Sequence, residues 1–140
     1  MHYLRPWILG CAALSLLLGG CKGNNNPATL PVTGVVKFKG QPLPNVIVTF
    51  FPTDGRPATG KADGEGKFTL TTFQPGDGAL PGNHKVTVME PAPEMAEGDY
   101  SVPDAKPPAF PVKYTDQRQT DLTVEVKSGG ENDFTIELKE

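Results

Sequence analysis

Cysteine is almost missing from this chain: 140 residues hold two, Cys11 and Cys21. Histidine is as scarce, with His2 and His84, and tryptophan occurs once, at Trp7. Cys11, His2 and Trp7 all fall in the first twenty residues, so loss of that segment would leave one histidine and no tryptophan. If Cys21 is consumed by modification as well, no thiol remains. A disulfide framework, a zinc–thiolate site and a cysteine nucleophile are then excluded. Basic residues are outnumbered, thirteen against sixteen acidic ones, for a formal charge of −3. A chain without a basic surplus lacks the means to displace counterions from nucleic acid, so no nucleic-acid partner is expected. Long apolar runs are missing too, apart from Trp7 to Leu18. That stretch is shorter than the roughly 20 apolar residues a membrane-spanning helix needs.

What is present begins with that short run. Arg5 and the amino terminus form a positive region, Trp7 to Leu18 an apolar one, and Leu18-Gly19-Gly20-Cys21 closes it. An export signal has this three-part layout. A branched apolar residue three positions before a cysteine, with two small residues between, is the pattern that bacterial lipoprotein signal peptidase reads. Residues 1–20 are therefore expected to be a signal peptide, with Leu18, Gly19 and Gly20 as recognition residues and Cys21 as the lipidated first residue. One acyl chain binds a membrane only marginally, at about 10⁴ M⁻¹, whereas two or more hold stably. The expected partner is the membrane, through this anchor, in the bacterial cell envelope. Lys22 stands where an aspartate would retain the protein at the inner membrane in some bacteria, so the outer membrane is favoured. Loss of Arg5 takes the thirteen basic residues to twelve against sixteen acidic ones, a mature charge of −4.

Residues 21–30 form the expected tether, polar and without period, reaching about 15–18 Å as a coil and about 30 Å at full extension. From Val32 the period becomes two. Val32, Val36 and Phe38 share one face of a first strand, and Lys39 to Asn45 is turn chemistry. Val46 to Phe51 reads as a more fully buried strand and Ala58 to Ala62 as a short one. Asp63-Gly64-Glu65-Gly66 turns the chain into Lys67 to Thr71, and His84 to Met89 follows a glycine-rich loop. Leu122 to Val126 and Phe134 to Leu138 alternate on either side of Gly129-Gly130. Seven short strands with no helical pattern give an all-β expectation: an antiparallel β-sandwich over residues 31–140.

The stretch from Pro91 to Pro111 breaks this rhythm. Its prolines exclude ladder pairing and favour extended polyproline conformation. Loops longer than about 12–15 residues are functional or disordered more often than not. Met95, Tyr100 and Phe110 are its candidate binding residues, and Glu94, Glu97, Asp99 and Asp104 against Lys106 leave it net negative.

Gly34-Val35-Val36, the run Gly40 to Phe50 and Asp63-Gly64-Glu65-Gly66-Lys67-Phe68 together resemble the carboxypeptidase regulatory-like domain. Gly76 to Val88, Tyr114, Asp121 to Val124 and Asn132-Asp133-Phe134 resemble the later segments of small bacterial lipoproteins of that kind. The resemblance implies a transthyretin-like (prealbumin-like) seven-stranded Greek-key sandwich and an accessory surface role. His84 stands where an aromatic residue, commonly tyrosine, precedes the Lys-Val-Thr-Val strand in that family.

The enzymes built on this architecture do not fit. Transthyretin-like hydroxyisourate hydrolases need several histidines and a Tyr-Arg-Gly-Ser terminus, whereas this chain reads Glu137-Leu138-Lys139-Glu140. Intradiol dioxygenases hold iron with two tyrosines and two histidines. A Ser-His-acid triad would rest on Ser101 or Ser128, neither in a nucleophile-elbow pattern. Asp63 and Glu65, with Asp54 or Asp77, could face Ca²⁺, but the loop is far shorter than a twelve-residue EF-hand loop and Asp-Gly is turn chemistry first. A Lys–Asn isopeptide, known in related collagen-adhesin domains, would join Lys37 or Lys39 to Asn132; the outward alternation of Lys37 favours a solvated lysine. No catalytic residue, metal or cofactor is assigned. The expectation is a membrane-anchored envelope lipoprotein displaying a non-catalytic interaction or structural module for an envelope protein or glycan. A carbohydrate-binding module is the alternative, and an enzyme ranks third.

Overall fold

In the computed structural model, which describes residues 23, 25–94, 98 and 106–140, two sheets stack face to face. The chain runs through β1 (Thr33–Phe38), β2 (Gln41–Pro42), β3 (Ile47–Pro52), β4 (Ala58–Lys61), β5 (Lys67–Thr69) and β6 (Gly82–Met89). A 3-10 helix at Val112–Thr115, β7 (Thr123–Val126) and β8 (Asp133–Leu138) complete it. One sheet is centred on β1, which pairs with β2 and β5 along one edge and with β8 along the other. The second sheet has the order β4-β3-β6-β7. Thr59 and Thr71 exchange backbone hydrogen bonds of 2.9 and 3.0 Å, which ties the sheets along one side.

Period-two alternation sets which side chains enter the space between the sheets. Val36, Val48, Phe50, Phe68, Val86, Val88, Ile136 and Leu138 all do, and all are buried. Phe50 lies at the centre, with the rings of Phe68, Phe134 and His84 at 6.1, 5.8 and 5.8 Å. β3 buries only one of its faces fully: Ile47, Thr49 and Phe51 on the other are half-covered. The expectation of a more fully buried strand there is corrected, because in a two-layer structure no third layer covers that face.

The expected antiparallel sandwich is corrected at one pair. β1 and β8 run parallel over six residues, from Thr33↔Asp133 to Phe38↔Leu138. A parallel neighbour needs a crossover rather than a hairpin. Here the crossover is the whole intervening chain, which visits the second sheet twice before β8 returns. The Gly129-Gly130 turn accordingly joins two sheets instead of closing a hairpin. Asn132 holds that turn, its side chain accepting from Lys127 N at 2.9 Å and donating to Lys127 O at 3.0 Å. The same register rules out the isopeptide, since Lys37 faces Glu137, five residues beyond Asn132, about 16 Å along the strand. The strand count rises to eight because Lys39 (φ 53°) and Gly40 (φ 75°) form a tight two-residue loop that lets Gln41-Pro42 pair back.

Gly34 permits the parallel pair. A Cβ at this position would overlap the Phe134 carbonyl oxygen and stand 2.6 Å from Phe68 Cζ. Tyr114 locks the far end: its buried hydroxyl donates to Lys139 O at 3.1 Å and accepts from Lys139 N at 3.0 Å. Lys113 Nζ lies 4.7 Å from the centre of that ring and donates to Asp121 Oδ2 at 2.9 Å.

Strand direction gives the sandwich two poles. Leu30 and Ala79 exchange backbone bonds of 2.8 and 3.0 Å at the first. Gly78, at φ 88°, lies so close that a Cβ would overlap the Leu30 carbonyl. The tether therefore leaves from this pole. The stretch after Met89 leaves from the opposite one, where β6 ends. Gly34→Ala should lower stability by roughly 3 kcal/mol through overpacking. Tyr114→Phe should cost about 1–2 kcal/mol, because Lys139 can rebond to water. Urea unfolding with an unchanged m-value checks both, and a neutral Gly34→Ala would contradict the central place given to the β1–β8 contact.

Candidate functional site

The carboxylates singled out by sequence turn inward on their own loops. Asp63 Oδ1 accepts from the amides of Glu65 and Lys67 at 2.8 and 2.9 Å, closing the turn before β5. Those bonds, led by the one from Lys67, hold its carboxyl below the ordinary carboxylate value. Asp77 accepts three amides, from Thr72 at 2.7 Å, Phe73 at 2.9 Å and Gln74 at 3.0 Å. Burial in the loop pushes its carboxyl up, and the three amides together outweigh that and hold it low. Asp116 is held low by the Arg118 side chain and amide, and Asp121 by Lys113. Oxygens committed to backbone amides are poor candidates for a cation. Among the described residues no group of three or more His, Cys, Asp or Glu is placed to hold a metal ion.

His84 is on the inward face of β6 and only 2% exposed. Its Nε2 donates to the Leu80 carbonyl oxygen at 2.7 Å, which fixes the proton on Nε2 because a carbonyl only accepts. Nδ1 has no partner among the described residues. A triad histidine needs a carboxylate on one nitrogen and a nucleophile on the other. This ring has a backbone carbonyl on one side and Phe50 against its face.

Of the candidate binding residues, Phe110 is 3% exposed and belongs to the core, so it anchors the return of the Pro91–Pro111 stretch instead of offering a side chain to a partner. Met95 and Tyr100 lie outside the described residues, as do Leu18, Gly19, Gly20 and Cys21. The large exposed apolar residues that are described, Met89 at 47% and Val112 at 59%, flank that same stretch. No described helix is long and apolar enough to cross a membrane.

Sequence reading missed a groove on the outer face of the second sheet. The register sets Phe51, Lys85 and Thr123 side by side across β3, β6 and β7. With Pro52, Thr53, Asn83, His84 and Gln117 they line an open depression of about 450 Å³. Its one signal in the sequence was Phe51 directly after Phe50: consecutive strand residues face opposite ways, so one of the two had to look outward. A larger depression, about 570 Å³, lies over β1 and β5; its Thr33, Asp63, Lys67 and Asp133 are engaged, whereas Lys61 and Thr69 make no side-chain bond among the described residues. Thr33 donates to Asp133, Lys67 pairs with Glu65, and Asp63 caps its turn. In the Phe51 groove only the His84 ring is so engaged, by Leu80 O, and Thr53, Asn83, Lys85, Gln117 and Thr123 make no side-chain bond among the described residues.

Compared with protein-family models, curated proteins and solved structures, the chain matches none.

Asp77 gives the pH dependence a sign. Its folded carboxyl is held low, so its stabilising contribution is complete above the unfolded value near pH 4 and is lost as pH falls through the folded one. Asp77→Asn should therefore melt below the wild type at neutral pH, with the gap narrowing below about pH 4. A gap that stays constant down to about pH 2 would show that the amide bonds do not favour the charged form.

Proposed function

We propose that this protein is a lipid-anchored component of the bacterial envelope, displaying a non-catalytic sandwich on a short tether. The observation that carries the reading is Leu18-Gly19-Gly20-Cys21 behind a short apolar run, nine residues ahead of Leu30, where backbone pairing begins. The exposed residues 25–28 fit a spacer between lipid and domain. The finer fold belongs to the same proposal: a transthyretin-like, Greek-key arrangement of the carboxypeptidase regulatory-like kind. Two packed sheets with an almost purely β composition are consistent with it. A non-catalytic role is supported by His84, whose ring is engaged by a backbone carbonyl, and by carboxylates that cap loops. The outer membrane is the favoured surface, from Lys22 after the anchor. A saccharide ligand is the second reading, favoured by Asn83, Lys85, Gln117 and Thr123 around Phe51, whose side chains make no bond among the described residues.

Cys21→Ser tests the anchor. Cells fed an alkynyl fatty acid should label the wild type and send it to the detergent phase of a Triton X-114 separation. The variant should take no label and accumulate as the longer precursor. Labelling of the variant equal to wild type would overturn the assignment.

A further inference from the structure

We propose that the groove over Phe51 is a binding site for an acidic saccharide, a sugar that carries a carboxylate. The half-buried Phe51 ring forms an apolar floor, the surface a pyranose needs beneath its C–H face. Asn83 and Gln117 border it, and each amide offers both a donor and an acceptor, the set that neighbouring hydroxyls require. Thr53 and Thr123 add hydroxyls at the rim. Lys85, directly opposite Phe51 across the ladder, is exposed and makes no ion pair among the described residues.

Charge complementarity selects the ligand. The chain is acidic as a whole, yet the groove is lined by one ammonium and no carboxylate. The nearest acid along the ladder, Glu125 opposite Asn83, is drawn to Lys127 at 3.4 Å. A lone lysine with no arginine fork and no nest of backbone amides is a weak site for a bare anion. Joined to an aromatic floor and two amides, it recognises a carboxylate already carried on a polyhydroxylated ring. The volume falls in the range of about 300–1,000 Å³ usual for small-ligand sites.

Position supplies a further argument. The groove opens toward the tether pole. Thr53 and Asn83 lie within three residues of Gly55 and Leu80, which touch there, and Ala79 pairs with Leu30 beside them. A saccharide standing on the surface that holds the anchor is therefore within the tether's reach of about 30 Å. The proposal deepens the saccharide reading and fails separately from the anchor, which is read by labelling alone.

The test uses the detergent-solubilised full-length protein titrated calorimetrically with tetragalacturonate, with neutral cellotetraose and with inorganic phosphate. Tetragalacturonate should bind with a Kd below about 1 mM, and at least tenfold more tightly than either other probe. Lys85→Gln should weaken tetragalacturonate about five- to tenfold and leave cellotetraose unchanged. Phe51→Leu should weaken both sugars; if that variant folds poorly, exposed Gln117→Ala, with an expected loss of about threefold, takes its place. No heat up to about 10 mM ligand overturns the proposal, as does binding indifferent to Lys85→Gln and Gln117→Ala. Phosphate binding as tight as tetragalacturonate would show an anion site without sugar recognition, which also overturns it.

Discussion

The parallel pairing of β1 with β8 is the contact on which the rest of this fold depends. It joins segments 100 residues apart, Thr33 to Asp133, and the chain between them runs through both sheets. Backbone approach at Gly34 makes it possible, and Phe68 and Phe134 fill the space that a side chain there would claim. Closing a loop of that length costs entropy that grows only slowly with chain length, so a six-residue ladder with apolar rings beneath it suffices. The described residues contain no cysteine, so within them this pairing and the Tyr114–Lys139 lock take the place of a covalent staple.

A second constraint shapes the surface. A small sandwich with many tight turns must satisfy the backbone amides that those turns leave unpaired. Here the aspartates do it: Asp63 serves two amides, Asp77 three, and Asp116 one along with its arginine. Carboxylates so engaged stabilise the loops and are withdrawn from chemistry. The buried Nδ1 of His84 is an exception inside, an acceptor with no partner among the described residues, whose burial works against stability by about 1–3 kcal/mol. The Phe51 groove is an exception outside, since the side chains of Thr53, Asn83, Lys85, Gln117 and Thr123 make no hydrogen bond or ion pair among the described residues.

Strand positions were legible from alternation because burial on one face imposes it directly: Val32, Val36, Val48, Phe50, Val86, Val88, Ile136 and Leu138 declare the interior. Alternation fixes a face and leaves partner and direction open. The parallel β8, the sheet change at Gly129-Gly130 and the two residues of β2 were therefore beyond it. Phe110 misled for a related reason. A phenylalanine among prolines looks like an exposed hook in sequence, whereas in space it is buried in the core, next to Ala109, whose amide donates to Glu90 just past β6. The groove was the least legible feature, since Gln117, Lys85 and Phe51 come from three separate segments and only the ladder sets them together. The lipidation motif was read from sequence alone, and its residues lie outside those described.

The two poles divide what the surface does. At one, Leu30 is pinned against Ala79 by a glycine that admits no side chain, so any pull along the tether enters the fold through a fixed point instead of a frayed strand. β1 begins three residues later and passes that load into the centre of its sheet, between β5 and β8. The groove opens near this pole, whereas the proline-rich excursion springs from the other, flanked by Met89 and Val112. Under the proposed anchoring, the domain would meet ligands on the anchoring surface with one pole and approaching molecules with the other. The acidic sequence of the excursion and the single ammonium of the groove suit that proposed division, because charges of opposite sign favour different ligands.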